Sequence, residues 1–385
     1  MGSGVTSGEC TANNTHNIST EKSAEWLYTP THTLFVTIIV PVFWGAGVVA
    51  NSTFLFVLLR LPKMRSKSNI LLANLALADL WQISFYAGIY LWMYLASPVL
   101  FSLPFVSSAG CMGFYAAFNV GYFSSVALVT AVSLERYIAL CHPMRHLTIF
   151  SRQQAYKMVG ICWMVGLVFS CSIVPGSAIL NVRCLQWPDV DTFDGFPSVS
   201  VSCGSVHPWV GYYIEPLVLI PWLVIVIANI YMFVEIVRAL NKRRAIADAA
   251  TTGAHLRMLQ VRNQFAIMLI INGAVFFICQ TPIRFVNLSF WICFVAGIPD
   301  NPLVAISGNY ISWIVLVPQL INCLVNPLIY GVTNANYRAA LHQAFQCRRQ
   351  PGRAPSTQQP CALVIRNSHA DVENHQQEAQ TVNQL

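Results

Sequence analysis

Seven apolar runs set the pattern of this chain. They fall at about 34–59, 69–95, 108–141, 156–180, 209–240, 256–295 and 304–330. Each is at least as long as the ~20 residues an α-helix needs to cross a bilayer. The 256–295 run is longer than crossing requires and is expected to continue into the cytoplasm as an amphipathic helix carrying Arg257 and Arg262. Before the first run, residues 1–33 are polar. After the last, Tyr337, Leu341, Ala344 and Phe345 recur at helical spacing among Arg338, Arg348 and Arg349, which predicts a short helix over 334–349 on the inner membrane surface. Residues 350–385 are rich in Gln, Pro, Ser and Asn and read as disordered. The predicted fold is an all-α seven-transmembrane helix bundle (34–333) between two polar ends.

Composition agrees. The 385 residues are 55% hydrophobic and 10% charged, against roughly a quarter charged in soluble domains. The net charge of +7 reflects topology: nineteen of 22 Lys and Arg lie between Arg60 and Lys67, Arg136 and Lys157, Arg238 and Arg262, and Arg338 and Arg366. The positive-inside rule makes those segments cytoplasmic and the N-terminus extracellular, as expected for a multi-pass plasma-membrane protein. Nucleic acid is not implied. Asn13-Asn14-Thr15 and Asn17-Ile18-Ser19 are then glycosylation sequons on the outside. Asn51-Ser52-Thr53 lies within an apolar run and is expected to stay unmodified. Cys347 beside the last helix is a candidate palmitoylation site, or an unmodified thiol.

Four of the 12 cysteines fall in outer segments: Cys10, Cys111, Cys184 and Cys203. An oxidising exterior predicts bridges. Cys111 heads span three and can reach Cys203 in the loop before span five, which leaves Cys184 for Cys10. In that loop, Val199-Ser200-Val201-Ser202 after an Asp-Gly turn predicts an extracellular β-hairpin. No cysteine spacing resembles a zinc site.

Buried polar groups in a membrane are expensive and usually functional. Span three carries no charge until Glu135, where Glu135-Arg136-Tyr137 meets the cytoplasm. A cation held by an adjacent carboxylate is either a membrane-edge salt bridge or a switch that hands the cation to another partner. Asn51, Asp79, Ser125, Asn322 and Asn326 sit mid-span. Asp79 is either the centre of a small-cation site, such as one for sodium, or a neutral acid in a hydrogen-bond network. Pro221, Pro282 and Pro327 interrupt the spans as hinges or fixed bends.

Taken together these residues resemble the rhodopsin-like (class A) family of G-protein-coupled receptors. The marks are Asn51, Leu75-Ala76-Leu77-Ala78-Asp79, Cys111, Glu135-Arg136-Tyr137, Trp163, Pro221, Phe276 with Cys279 and Pro282, and Asn326-Pro327-Leu328-Ile329-Tyr330, in family order across about 34–349. The resemblance implies an extracellular ligand, outward movement of span six, and a heterotrimeric G protein received in a groove that Arg136 and Tyr330 help form. It also implies a sodium pocket of Asp79, Ser125, Asn322 and Asn326, with Cys323 where a serine is usual. Three positions depart from the family: Gln280 stands where a tryptophan is frequent, Arg262 where an acid can restrain the span-three arginine, and Asn229 where a tyrosine is expected, Tyr231 following it.

The aspartate that amine receptors carry is Phe118 here, and none of the five lysines lies in span seven to hold retinal. A peptide ligand fits best, because the outer loop is acidic and the mouth aromatic. Gln280-Thr281-Pro282 is similar to invertebrate receptors for FMRFamide-like neuropeptides. The candidate pocket is Gln82, Tyr86, Phe118, Asn119, Tyr122, Glu215, Gln280, Arg284 and Trp313. Arg284 is suited to a ligand carboxylate or amide and Glu215 to a ligand arginine, unless the two satisfy each other or snorkel to the surface. A lipid or other small molecule is the rival ligand. A transporter or channel is the rival class, but no internal repeat supports it. No nucleophile–base–acid set suggests an enzyme. Tail hydroxyls at Ser356, Thr357, Ser368 and Thr381 leave arrestin as a further partner beside membrane lipids.

Overall fold

The computed structural model describes residues 10–12, 14–247 and 253–346, with the side chains of 243–247 and 253–269 left aside. Asn13, Cys347, the tail beyond it and the side chains of Arg257 and Arg262 lie outside the described residues. The chain divides into a unit ending at Ala344 and a second beginning at Phe345.

Among the described residues, seven helices are long and apolar enough to cross a membrane. Span one is Pro30–Arg60, span two Lys67–Ala96, span three Ser108–Cys141 and span four Arg152–Ser177. Spans five and six follow as the helices Val210–Ala247 and Gly253–Ala296, and span seven is Pro302–Thr333. Leucine, valine, isoleucine and phenylalanine dominate them. With the backbone bonded inside each helix, nothing polar need face hydrocarbon. Spans two and three are the most buried. Spans four and five turn Ile161, Val168, Ile220 and Ile227 outward, as lipid-facing helices do. The core packs Phe54, Leu71, Leu75, Leu128, Phe276 and Ile329 from spans one, two, three, six and seven.

Two predicted boundaries move. The fourth run does not stay helical to residue 180. Its α-helix ends at Ile173, a 3-10 turn covers Val174–Ser177, and a strand begins at Ile179. Pro175 supplies no amide to continue the ladder, and the chain turns there into sheet. Span seven is not one α-helix from 304. Pro302–Ser307 forms a short helix, Gly308 adopts φ 55°, and the main helix runs Ile311–Thr333. That backbone conformation favours glycine.

The predicted hairpin forms and is longer than expected: β2 (Ile179–Gln186) pairs antiparallel with β3 (Val199–Gly204), Cys184 opposite Val199. Gly195 of the Asp-Gly turn has φ 78°. The N-terminal segment is not merely a tail. Its strand β1 (Thr15–Asn17) pairs parallel with β2, making a three-stranded sheet. Cys111 is bridged to Cys203 and Cys10 to Cys184, with Cα separations of 5.7 and 5.8 Å. Exposed Asn17 ends β1. Ile18, Val99 and Leu185 pack together beneath the sheet against Trp26 and Trp187.

The last helix, Ala335–Phe345, buries Tyr337, Ala340 and Ala344, and Tyr337 meets Phe54 at 5.5 Å between ring centres. Phe345, expected on the apolar face, is exposed, and the buried position is Ala340 instead.

Spans three and four approach closely at Gly166. A Cβ there would fall 2.8 Å from the Val120 carbonyl oxygen and collide with the hydroxyl of buried Ser124. Gly166→Ala is expected to destabilise the protein by about 1–3 kcal/mol. The check is the thermal melting of the purified protein beside Gly160→Ala, whose Cβ meets nothing within 4 Å and which should melt unchanged.

Candidate functional site

Polar side chains occupy the centre of the bundle at three depths. At the depth nearest the basic loops Glu135 is 1% exposed. It pairs with Arg136 (Nε–Oε2 3.1 Å), accepts from Ser68 Oγ at 2.9 Å and meets His146 Nε2 at 2.9 Å. Span three supplies the pair, the start of span two the serine, and the loop helix Pro143–Ile149 the histidine. A carboxylate this buried is stable only with such partners. Tyr137 packs near Cys141, Leu140 and Ile236. Tyr330 is buried and its ring meets Phe54 at 5.3 Å. Asn229 is also buried, donating to the Ile225 carbonyl at 2.8 Å, whereas Tyr231 faces outward. The tyrosine displaced along the sequence is therefore displaced from the core as well.

At the middle depth Asp79 has no solvent exposure. It accepts from Ser125 Oγ at 3.0 Å and from Asn326 Nδ2 at 2.7 Å, which ties spans two, three and seven. Asn322 is buried one turn before Asn326, and Pro327 is buried beside it. Asn51 donates to the carbonyls of Gly47 and Cys323, both at 2.9 Å, adding span one. The donor set suits a hard cation: one carboxylate, one hydroxyl and amide oxygens. The Cys323 thiol is a poor sodium ligand where a serine oxygen would be a good one. Among the described residues no cluster of three His, Cys, Asp or Glu could hold another kind of metal.

At the outer depth the structure brings together Tyr122, Gln280, Arg284 and Gln319. Arg284 donates to the Tyr122 hydroxyl, with its guanidinium 5.4 Å from the ring centre. Tyr122 donates to Gln280 Oε1 at 2.8 Å. Gln319 donates to the same oxygen and to the Cys279 carbonyl, both at 3.2 Å. The position where the family often has tryptophan is thus the junction of a hydrogen-bond chain between spans three, six and seven. Arg284 and Glu215 are 6% and 7% exposed. Their burial rules out snorkelling, and no ion pair within 4 Å joins them among the described residues, although the guanidinium attracts the carboxylate at longer range.

The remaining pocket residues lie apart from this chain. Gln82 is fully buried on span two, and Tyr86 meets Phe118 edge-on at 4.9 Å. Trp313 stacks on Phe35 at 4.9 Å and stands 6.0 Å from His32 in an aromatic cluster of spans one, two and seven. Asn119 turns back on its own helix and donates to the Tyr115 carbonyl at 2.7 Å. Gln319, Ser68 and His146 escaped the sequence reading. A polar residue within the last apolar run was signal enough for Gln319. Nothing in the sequence points Ser68 or His146 at Glu135, because both lie at the edge of polar loops.

Removing the Tyr122 hydroxyl leaves Arg284 and Gln280 without a shared partner. Tyr122→Phe is expected to cost about 1–3 kcal/mol. If the loss comes from the stranded guanidinium, Tyr122→Phe/Arg284→Met recovers part of it in thermal melts. An additive double variant would show the two side chains to be independent.

The family described as "7 transmembrane receptor (rhodopsin family)" matches residues 50–330. Curated proteins similar to this chain include the neuromedin-U receptor 2 of Mus musculus, 26% identical over 84% of this chain and 78% of its own length. The neuromedin-U receptor 2 of Homo sapiens is 24% identical over 92% and 89%. The somatostatin receptor type 4 of Rattus norvegicus is 24% identical over 78% and 70%.

Proposed function

Because the chain belongs to the rhodopsin family of seven-transmembrane receptors, we propose that it binds an extracellular peptide and activates a heterotrimeric G protein. One observation carries this reading. Buried polar side chains recur from the Arg284–Tyr122–Gln280 chain, through Asp79, to the Glu135–Arg136 pair. The relatives' names, neuromedin-U and somatostatin receptors, favour a peptide. So do an arginine and a glutamate buried in the outer half with no ion pair within 4 Å between them among the described residues.

In this mechanism the peptide enters from the side of the three-stranded sheet and meets Arg284 and Glu215. Hydrogen bonds at Gln280 then redistribute among spans three, six and seven. Span six, bent at Pro282, swings outward. Arg136 leaves Glu135 and, with Tyr330 and the Asn326-Pro327 bend, lines the groove that takes the G protein. The N-terminus faces outward, with Asn13 and Asn17 as its glycosylation sites.

Asp79 and Ser125, with the oxygens of Asn322 and Asn326, would hold sodium, which supplies a charge partner for the buried carboxylate. Sodium is expected to raise the melting temperature of the purified receptor relative to the same concentration of potassium. Asp79→Asn, which keeps the size but removes the charge, should abolish that difference. An equal sodium effect in the variant would place the ion elsewhere.

Calcium and cyclic-AMP responses of cells expressing the chain, challenged with a neuropeptide library, test the main reading. A sub-micromolar peptide response is expected, lost in Arg136→Ala at unchanged surface expression. Silence to every peptide at full surface expression, with a response to a lipid library, would transfer the ligand to that class.

A further inference from the structure

A cavity of about 80 Å³ lies between spans three, four and five, directly beside the proposed ligand arginine. Tyr122, Phe123, Val218, Trp222 and Ile225 line it, and Arg284 closes its polar side. Glu215, Val218, Trp222 and Ile225 are spaced 3, 4 and 3 residues apart, so they lie along one face of span five. Glu215 therefore sits one turn outward of the cavity on its own wall.

Two atoms of the lining, Trp222 Nε1 and Arg284 Nε, and Glu215 Oε1 outward of it have no hydrogen-bond partner among the described residues, and the Arg284 guanidinium lies near enough to Glu215 to attract its carboxylate. Glu215 and Arg284 are each more than nine-tenths buried. Leaving such groups unpaired is costly, and together they define what would pair them. The indole and guanidinium nitrogens only donate, and a carboxylate only accepts. A ligand carboxylate would satisfy Arg284 and Trp222 but be repelled by Glu215. An ammonium would satisfy Glu215 and be repelled by Arg284. A neutral group that accepts twice and donates beside the acceptor meets all three.

We propose that Glu215, Arg284 and Trp222 form a subsite for a primary carboxamide, whose neighbouring apolar side chain enters the adjoining cavity. The oxygen accepts from Arg284 and Trp222, and the amide nitrogen donates to Glu215. Such a group is carried by an amidated peptide C-terminus or by an Asn or Gln side chain. The proposal rests on the peptide-receptor reading and specifies the ligand chemistry at its deepest point.

The test is saturation-transfer NMR on the full-length receptor in nanodiscs, with four probes: N-acetyl-phenylalaninamide, its free acid, its methyl ester, and N-acetyl-glutamine methyl ester. The amide is expected to bind with a dissociation constant on the order of 1 mM, as its size allows. The acid and the phenylalanine ester should bind at least about tenfold more weakly. Glutamine-ester binding equal to the amide's assigns the site to side-chain carboxamides, and weaker binding assigns it to the peptide end. In Glu215→Gln the acid should gain affinity while the amide keeps its own, a result that a misfolded variant cannot produce. Acid binding as tight as amide binding in the unaltered receptor, or no transfer to any probe up to about 10 mM, overturns the proposal. Neither readout requires a G protein. A receptor that answers acid-ended peptides as well as amidated ones would keep the peptide reading and lose this subsite.

Discussion

Hydrocarbon offers no hydrogen bonds, so a polar side chain inside this bundle gains most from a partner on another part of it. That constraint organises the interior. Asp79 draws Ser125 and Asn326 from two other spans, and Glu135 draws Ser68, Arg136 and His146 from as many elements. These contacts join helices whose outward faces are largely apolar and would otherwise have little preference for one packing over another. The polar centre thus specifies the arrangement, and it concentrates the response to any change in charge or hydrogen bonding where a rearrangement would start.

Gln280 shows how the constraint shapes the contacts among spans three, six and seven. An aromatic side chain at that position would pack by shape. The amide instead accepts from both Tyr122 and Gln319 while Arg284 holds the tyrosine. A perturbation at Arg284 is therefore felt as a change in bonding partners on three spans. At the end of span three the carboxylate of Glu135 is shared among the adjacent arginine, a loop histidine and the Ser68 hydroxyl of span two.

The outer surface is organised differently. A parallel strand from the N-terminal segment, two disulfides and a small tryptophan-walled cluster form a cover whose backbone bonds are met in sheet. Leu100 donates to the Trp26 carbonyl at 2.7 Å and Asn309 to that of Glu25 at 2.7 Å, fastening the N-terminal segment to two further loops.

Seven spans and the placement of Asp79, Glu135 and Arg136 were readable from the chain alone. Length, apolarity and the rarity of charge are local properties, and hydrocarbon penalises exceptions strongly enough to make each one visible. That Cys10, Cys111, Cys184 and Cys203 share one side was legible but leaves three pairings open, and the fold forms the expected pair, Cys111 with Cys203 and Cys10 with Cys184. The helix end at Ile173 and the break at Gly308 were missed although Pro175-Gly176 and Ser307-Gly308-Asn309 are turn signals, because each lies inside a longer apolar segment. Which candidates converge was decided by tertiary structure alone. Helix rotation aims Asn119 at its own backbone, places Trp313 in an aromatic cluster, and brings Gln319 and His146 to partners distant in sequence. A linear pattern records that a polar group is buried. The rotation and crossing of packed helices determine which partner it meets.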